Sequence, residues 1–343
     1  MPADPILTLA WLVLAHLVAD FVVQTGTVVI AKNGRGRLGW VGLAAHGLEV
    51  GICLIPVAIA FGLAGLWTLI AITGFHVVID RTKVVLTRRT QRRAVEAADQ
   101  RHEGQAPPAG LGRAWTPVPA AYFIADQAAH VAVTFVAWVI WLSGQAPTAW
   151  WSDFSSGLFA GRDLAVVHDV TLWLVVVAAL LIANVRAGAL FVATLVRPIE
   201  FGVEMATALV RARTGAGAPL PPPPAPPVRQ ARSWDIRIGP LAARVDEDAP
   251  PDEAVAAAEA ARSTVPPPSQ VGATIGVLER LLIVTFVLAG ADVAIGFVVA
   301  AKTIARFRLL DDRDFAEYYL LGTLASVSVA IFTGLAARAA LGA

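Results

Sequence analysis

The sequence is poor in charge. Asp, Glu, Lys and Arg make up 15% of its 343 residues, while apolar residues make up 57%. Soluble domains carry about a quarter charged residues. With so few, the chain cannot cover a globular surface unless lipid covers part of it. That excludes an ordinary soluble enzyme. The net charge of +1 excludes nucleic-acid binding driven by bulk charge. One cysteine, Cys53, excludes an intrachain disulfide framework and a cysteine-based zinc site. It lies in an apolar run and reads as a packing residue. No phosphate-cradling glycine loop, nucleophile elbow or dinucleotide fingerprint is present.

What is present is long apolar runs. A membrane span needs roughly 20 apolar residues. Seven stretches qualify, at approximately 5–30, 39–63, 65–87, 117–143, 170–197, 275–301 and 317–340. The fold expected is all-α, a polytopic transmembrane bundle of about seven spans. The first run lacks a basic leader and a small-residue cleavage site, so it reads as a span and not a signal peptide. Lys and Arg concentrate in the 31–38 loop (Lys32, Arg35, Arg37) and the 82–116 loop (including Lys83, Arg88, Arg89, Arg92 and Arg93). The 62–66 turn has none and 144–169 has only Arg162. This bias places the two basic loops in the cytoplasm and the N-terminus outside. Trp150 and Trp151 suit the outer interface.

Four parts follow. Residues 1–143 form a four-helix membrane domain, and 144–198 an outer loop and fifth span. Residues 199–272 form a cytoplasmic linker whose proline runs (Pro221–Pro224, Pro266–Pro268) favour disordered chain, with a short helix expected over Asp252–Arg262. Residues 273–343 form the C-terminal helices. The sixth run is ambiguous. Its length between Arg280 and Lys302 favours one crossing; Gly290, Asp292 and the basic loop after it favour a re-entrant hairpin over 275–307. One crossing is the expectation.

Six histidines occur, and four lie inside predicted spans. Each has a carboxylate three or four residues away: His16 with Asp20, His46 with Glu49, His76 with Asp80, and His130 with Asp126. Positions i and i+3 or i+4 share a helix face, and Gln24 extends the first stripe. All four pairs fall roughly 10–15 Å below the cytoplasmic surface. Intramembrane ionisable groups face the bundle interior or a water-filled cavity, so these can meet. Three readings stay open. Imidazole nitrogen and carboxylate oxygen suit zinc first, then manganese or iron. Bundles build di-metal centres from such pairs, and four pairs are enough ligands for two ions. Metal-assisted hydrolysis of an ester or phosphoester near the cytoplasmic leaflet is the activity such a centre supports. The second reading is a proton- or cation-coupled transporter or channel. The third is a polar packing network in a structural or partner-binding membrane protein, each carboxylate orienting its neighbouring histidine. Elsewhere, Arg186 lies deep in the fifth span and needs a partner, with Asp292 or the carboxylate cluster as candidates. Glu279, Arg280 and Lys302 read as interfacial, snorkelling residues. His102 and His168 read as solvated.

At these residues the chain resembles a bacterial membrane family catalogued as domain of unknown function 3307. The resemblance rests on AHLVADFVVQT (15–25), AKN (31–33), His46, GFHVVIDRTK (74–83) and FIADQAAH (123–130). The stretches 275–307 and 317–326 look like the tail of its longer members. His76 and Asp80 are also loosely similar to the histidine–aspartate helix of membrane-bound metal-dependent hydrolases. These resemblances imply a multi-pass protein of the bacterial inner membrane, with the lipid bilayer as its environment and a hydrolase as one activity. The sequence leaves substrate, catalytic residues, protein partners and homo-oligomerisation open, and offers no sign of nucleic acid.

Overall fold

The computed structural model describes residues 5–101, 117–196, 233–238, 241–246 and 268–342. The helices in chain order are α1 (Pro5–Val18), a π-helical segment (Ala19–Val23), α2 (Gly26–Lys32), α3 (Arg37–Arg101), α4 (Val118–Trp141), α5 (Ala149–Leu158), α6 (Leu164–Ile182), a second π segment (Ala183–Ala187), α7 (Gly188–Val196), α8 (Pro268–Leu288), α9 (Val293–Ala305) and α10 (Arg313–Leu341). Two strands, β1 (Ser233–Ile238) and β2 (Leu241–Asp246), pair antiparallel, with Ser233 opposite Asp246 and Ile238 opposite Leu241. The chain divides into two compact units, one of residues 1–213 with 276–343, the other of 214–275, which holds the hairpin. Of the rest of the expected linker, 268–272 begin α8, while 199–232, 239–240 and 247–267, with the helix expected over Asp252–Arg262, lie outside the described residues.

Among the described residues, five helices are long and apolar enough to cross a membrane: Pro5–Val23, Arg37–Thr90, Val118–Trp141, Leu164–Val196 and Phe315–Leu341. The second is folded on itself. Gly62 adopts φ 59°, ψ −128°, a conformation that a side chain strongly disfavours. The two arms of α3 therefore run back along each other, as the spans 39–63 and 65–87 required. With these arms counted separately, six apolar segments among the described residues are long enough to cross a membrane, and the expected count of seven is not confirmed.

Two expected spans are corrected. The first run does not continue to residue 30. The helix ends at Val23, Thr25 turns extended (ψ 157°), and its Oγ1 accepts from Val28 N–H to start α2. α2 then presses against α3 at Gly42, where a Cβ would stand 2.1 Å from the Lys32 nitrogen; only glycine admits that approach. The sixth run does not cross once. The chain bends at Gly290, and the Lys302 ammonium bonds the Glu279 carboxylate. In a continuous helix these residues would be about 34 Å apart; here each lies nine residues from its end of the bend. α9, with 13 residues, is also too short to cross alone. The hairpin wins because Gly290 and Asp292 break the helix.

Two apolar clusters hold this unit. Leu12, Ala15, Ala19, Val50, Leu54, Val57, Ile72, Ala137 and Leu142 join α1, both arms of α3 and the end of α4, with Cys53 packed against them. Val176, Leu180, Ile283, Val284, Val287, Ala330 and Ala337 join α6, α8 and α10. The Gly62 turn and the loop before α5 share one end, tied by Thr148 N–H donating to Ala60 O at 2.8 Å. Trp150 and Phe154 stack there on α5.

Several expectations for the second half change. Arg186 is exposed, and it pairs with neither Asp292 nor the carboxylate cluster. The buried arginine is Arg280, at 2% exposure. Its Nε donates to Asn184 O at 2.7 Å and Nη1 to Ser326 Oγ at 3.1 Å. The π segment at 183–187 displaces the regular ladder, which leaves that carbonyl open to a side-chain donor. Arg280 thus does not snorkel but pins α8 to α6–α7 and α10. His168 lies in α6, half-buried beside Asp169, because Asp163 caps the helix earlier than expected, accepting from Ala165 N–H at 2.9 Å. His102 lies outside the described residues. The hairpin predicts that a Glu279→Cys/Lys302→Cys protein, with Cys53→Ser, forms an intrachain cross-link with a short bifunctional thiol reagent. Failure to cross-link in the folded protein would restore the single crossing.

Candidate functional site

The four helices of the N-terminal half each deliver their side chains to one point. His16 and Asp20 come from α1 and its π segment, and His46 and Glu49 from the first arm of α3. His76 and Asp80 come from the second arm, and Asp126 and His130 from α4. His16, His46, His76, Asp80, Asp126 and His130 are all buried. The imidazole rings touch in series, with centroids 4.9 Å apart for His46–His76, 4.0 Å for His76–His130, 5.0 Å for His16–His130 and 5.6 Å for His16–His76.

The close contacts lie mostly between helices rather than within them. Along single helices His16 Nε2 is 4.0 Å from Asp20, His76 Nε2 3.9 Å from Asp80, and His130 Nδ1 3.8 Å from Asp126. Only His46 and Glu49 make a tight local pair, Nδ1 to Oε2 at 3.0 Å. Asp20 Oδ1 instead stands 3.2 Å from both His46 Nε2 and His76 Nε2. Asp20 sits in the π segment, where Gln24 N–H reaches back five residues to Ala19 O. That wider turn sets the Asp20 carboxylate toward α3, and π-bulges of this kind recur at functional sites. Gln24 ends this helix with its Nε2 buried and without a hydrogen-bond partner.

Three side chains that were read otherwise, or passed over, complete the cluster. Lys32, taken for a topology signal, donates to Asp80 Oδ2 at 2.9 Å. Lys83 donates to Asp126 Oδ2 at 2.7 Å. Gln127 bridges the helices: its Oε1 faces His16 Nε2 at 3.3 Å, and its Nε2 donates to Asp126 Oδ2 at 3.2 Å and Asp20 Oδ2 at 3.4 Å. Lys83 was signalled by its place one turn beyond Asp80, in GFHVVIDRTK. Lys32 had no such signal, because the bend at Thr25 alone brings it back.

Proton placement follows from these partners. Glu49 accepts at His46 Nδ1, so the His46 Nε2 lone pair faces the centre. The Asp126 carbonyl accepts from His130 Nδ1 at 2.9 Å, which leaves Nε2 a bare acceptor, buried without a partner. His76 Nε2 lies 2.9 Å from His46 Nε2, so at most one of the two nitrogens carries a proton. Asp20 Oδ1 and Asp126 Oδ1 also lack hydrogen-bond partners. Buried acceptors without donors are costly, and a bound cation is one species that would answer them. Three overlapping groups keep their donor atoms within 4.8 Å of one another: His16, Asp20 and His76; His46, His76 and Asp80; Asp80, Asp126 and His130.

Fold and cluster together define a helical protein with apolar helices suited to a membrane and a buried His/Asp centre able to hold a metal ion. Residues 8–157 match the family described as "Protein of unknown function (DUF3307)", and that stretch contains all eight candidate site residues. The resemblance read from the sequence is supported there; the likeness to metal-dependent hydrolases is not shown. No curated protein and no solved structure matches the chain.

The lysines test the electrostatics. Lys32→Met leaves the Asp80 carboxylate buried and unpaired, and removing one partner of a buried pair costs about 3–5 kcal/mol. Adding Asp80→Asn removes the orphaned charge. Unfolding in detergent should return a coupling of about 1–3 kcal/mol between the two sites; strictly additive losses would deny the ion pair any role.

Proposed function

We propose that this is a multi-pass protein of the bacterial inner membrane whose N-terminal bundle binds one divalent cation, zinc ahead of manganese or iron. The N-terminus faces outward and the site opens toward the cytoplasmic leaflet. His46 Nε2, His76 Nε2, Asp20 Oδ1 and Asp80 Oδ2 would hold the ion. One observation carries this reading. The first three atoms form a triangle with sides of 2.9, 3.2 and 3.2 Å, and Asp80 Oδ2 stands 3.5 and 3.9 Å from the two nitrogens. Ligands of a tetrahedral ion bound at about 2.0–2.1 Å stand about 3.3 Å apart. Five of the six separations among these donors therefore lie within about 0.6 Å of that value.

Charge supports one ion rather than the two that ligand counting allowed. Four carboxylates (Asp20, Glu49, Asp80, Asp126) face two ammonium groups (Lys32, Lys83), leaving two negative charges for a single divalent cation to balance. Glu49 then acts as the orienting partner of His46, a carboxylate–histidine–metal arrangement. Lys32 and Lys83 hold Asp80 and Asp126 in place. His16 and His130 stack behind them, with Gln127 joining α4 to α1. Bound there, a divalent cation supplies Lewis acidity and an activated water, the chemistry of ester or phosphoester hydrolysis.

A second reading has its own observation. Two protons balance the same charge deficit, and the serial ring contacts of the four histidines suit a proton relay. The two readings separate on elemental analysis of the detergent-purified protein. A metal site predicts about one ion per chain, lost in His46→Ala/His76→Ala. A folded, metal-supplied protein that carries no metal would sink it. Proton flux into liposomes, abolished by His76→Ala without any metal, would establish the relay. A packing network alone predicts neither metal nor flux, only lost stability.

A further inference from the structure

Arg280 holds its charge at 2% exposure, and among the described residues no carboxylate pairs with it. The neighbouring Glu279 carboxylate is bonded to Lys302 instead. A buried charge without a counter-charge is costly. Hydrogen bonds answer only part of this guanidinium. Nε donates to Asn184 O and Nη1 to Ser326 Oγ. Nη2, which carries two N–H groups, is buried without a partner. Thr323 Oγ1 is also buried without a partner. Thr323 lies three residues before Ser326, on the same face of α10. Nη1 and Nη2 share one carbon, so the contact with Ser326 holds Nη2 near this face. Ser326 accepts from Nη1 and keeps its own hydroxyl proton to donate. Arg280 and α10 thus offer donors around a fixed positive charge, with no carboxylate to receive them.

The surroundings limit what the ligand can be. Asn184 Oδ1 is likewise buried without a partner. It is an acceptor, which a water satisfies, but a water leaves the guanidinium charge unbalanced. Carboxylates and phosphates grip two guanidinium nitrogens at once, and every such pair here includes a nitrogen already engaged. Thr323 is 6% exposed, so a lipid headgroup or a partner's side chain reaches it only if the helices part. A small ion needs just a narrow approach, and a glycine provides one. A Cβ at Gly276, one turn before Arg280 on α8, would meet Nη1 at 3.6 Å. Gly276 is itself only half-buried, so its missing side chain leaves the guanidinium close to the surface.

We propose that Arg280, Thr323 and Ser326 form a binding site for a small monovalent anion of the halide class, separate from the His/carboxylate centre. The test is titration of the detergent-purified full chain with chloride, in gluconate buffer of constant ionic strength, followed by chloride NMR line broadening. Saturable broadening that bromide displaces is the expected result. Hydrogen bonds to a charged partner are the stronger ones, so Thr323→Val should weaken the apparent affinity at least about tenfold. Arg280→Gln should abolish saturation. The His46→Ala/His76→Ala protein should bind chloride as the unaltered chain does; loss there would place the anion on a metal at that centre and overturn this site. Absence of saturable broadening in the folded, unaltered chain overturns it as well. If Arg280→Gln does not fold, Thr323→Val, which keeps the shape of the side chain, decides alone: unaltered chloride affinity in that variant ends the proposal.

Discussion

An ionisable group buried among apolar helices is costly unless hydrogen-bond partners or a counter-charge meet it inside the bundle. That constraint organises the N-terminal half. Asp20, Asp80 and Asp126 would each be prohibitively costly alone. Asp80 and Asp126 each receive an ammonium group, from Lys32 and Lys83. Asp20 receives only imidazole nitrogens and Gln127. The helix ends, turns and glycines nearby follow from this need. Gly42 lets α2 lie close enough for Lys32 to reach Asp80. The Gly62 turn brings His46 against His76. The π segment sets Asp20 between them.

The second half obeys the same constraint with different groups. Arg280 is buried among α6, α7, α8 and α10 without a carboxylate. Its donors go to a carbonyl released by a π segment and to a serine hydroxyl. In both halves a π segment stands where a regular α-helix would have no polar group to offer. The shared device is a local irregularity that lets one helix answer the charge of another. Charge left over after such pairing is then informative. In the N-terminal cluster four carboxylates face two ammonium groups, the imbalance on which the proposed cation rests.

Much of this was legible in the residues. The scarcity of charge and the long apolar runs led to a helical membrane protein. The His–carboxylate spacing picked out eight of the side chains that the structure brings together, because helical periodicity puts i and i+3 or i+4 on one face whatever the tertiary fold. Periodicity says nothing about distances between faces. The expected pairs His16–Asp20, His76–Asp80 and His130–Asp126 therefore share stripes while their tighter contacts cross to other helices. Arg186 and Arg280 show the same limit in reverse. Depth along a run placed Arg186 inside and Arg280 at the edge, but rotation about the helix axis exposes the first and buries the second.

The sequence by itself determined the helical class of the fold and the His–carboxylate stripes, since composition and helical period are local properties of the chain. Only the tertiary structure decided where the helices stop and what the charges face. The turn at Thr25 cut the first run and returned Lys32 to the site, and the bend at Gly290 converted a crossing into a hairpin. Such breaks depend on backbone conformation at one or two residues, and counter-charges are chosen among side chains dozens of residues apart. The scarce charge is therefore explained by contacts that no window of sequence contains.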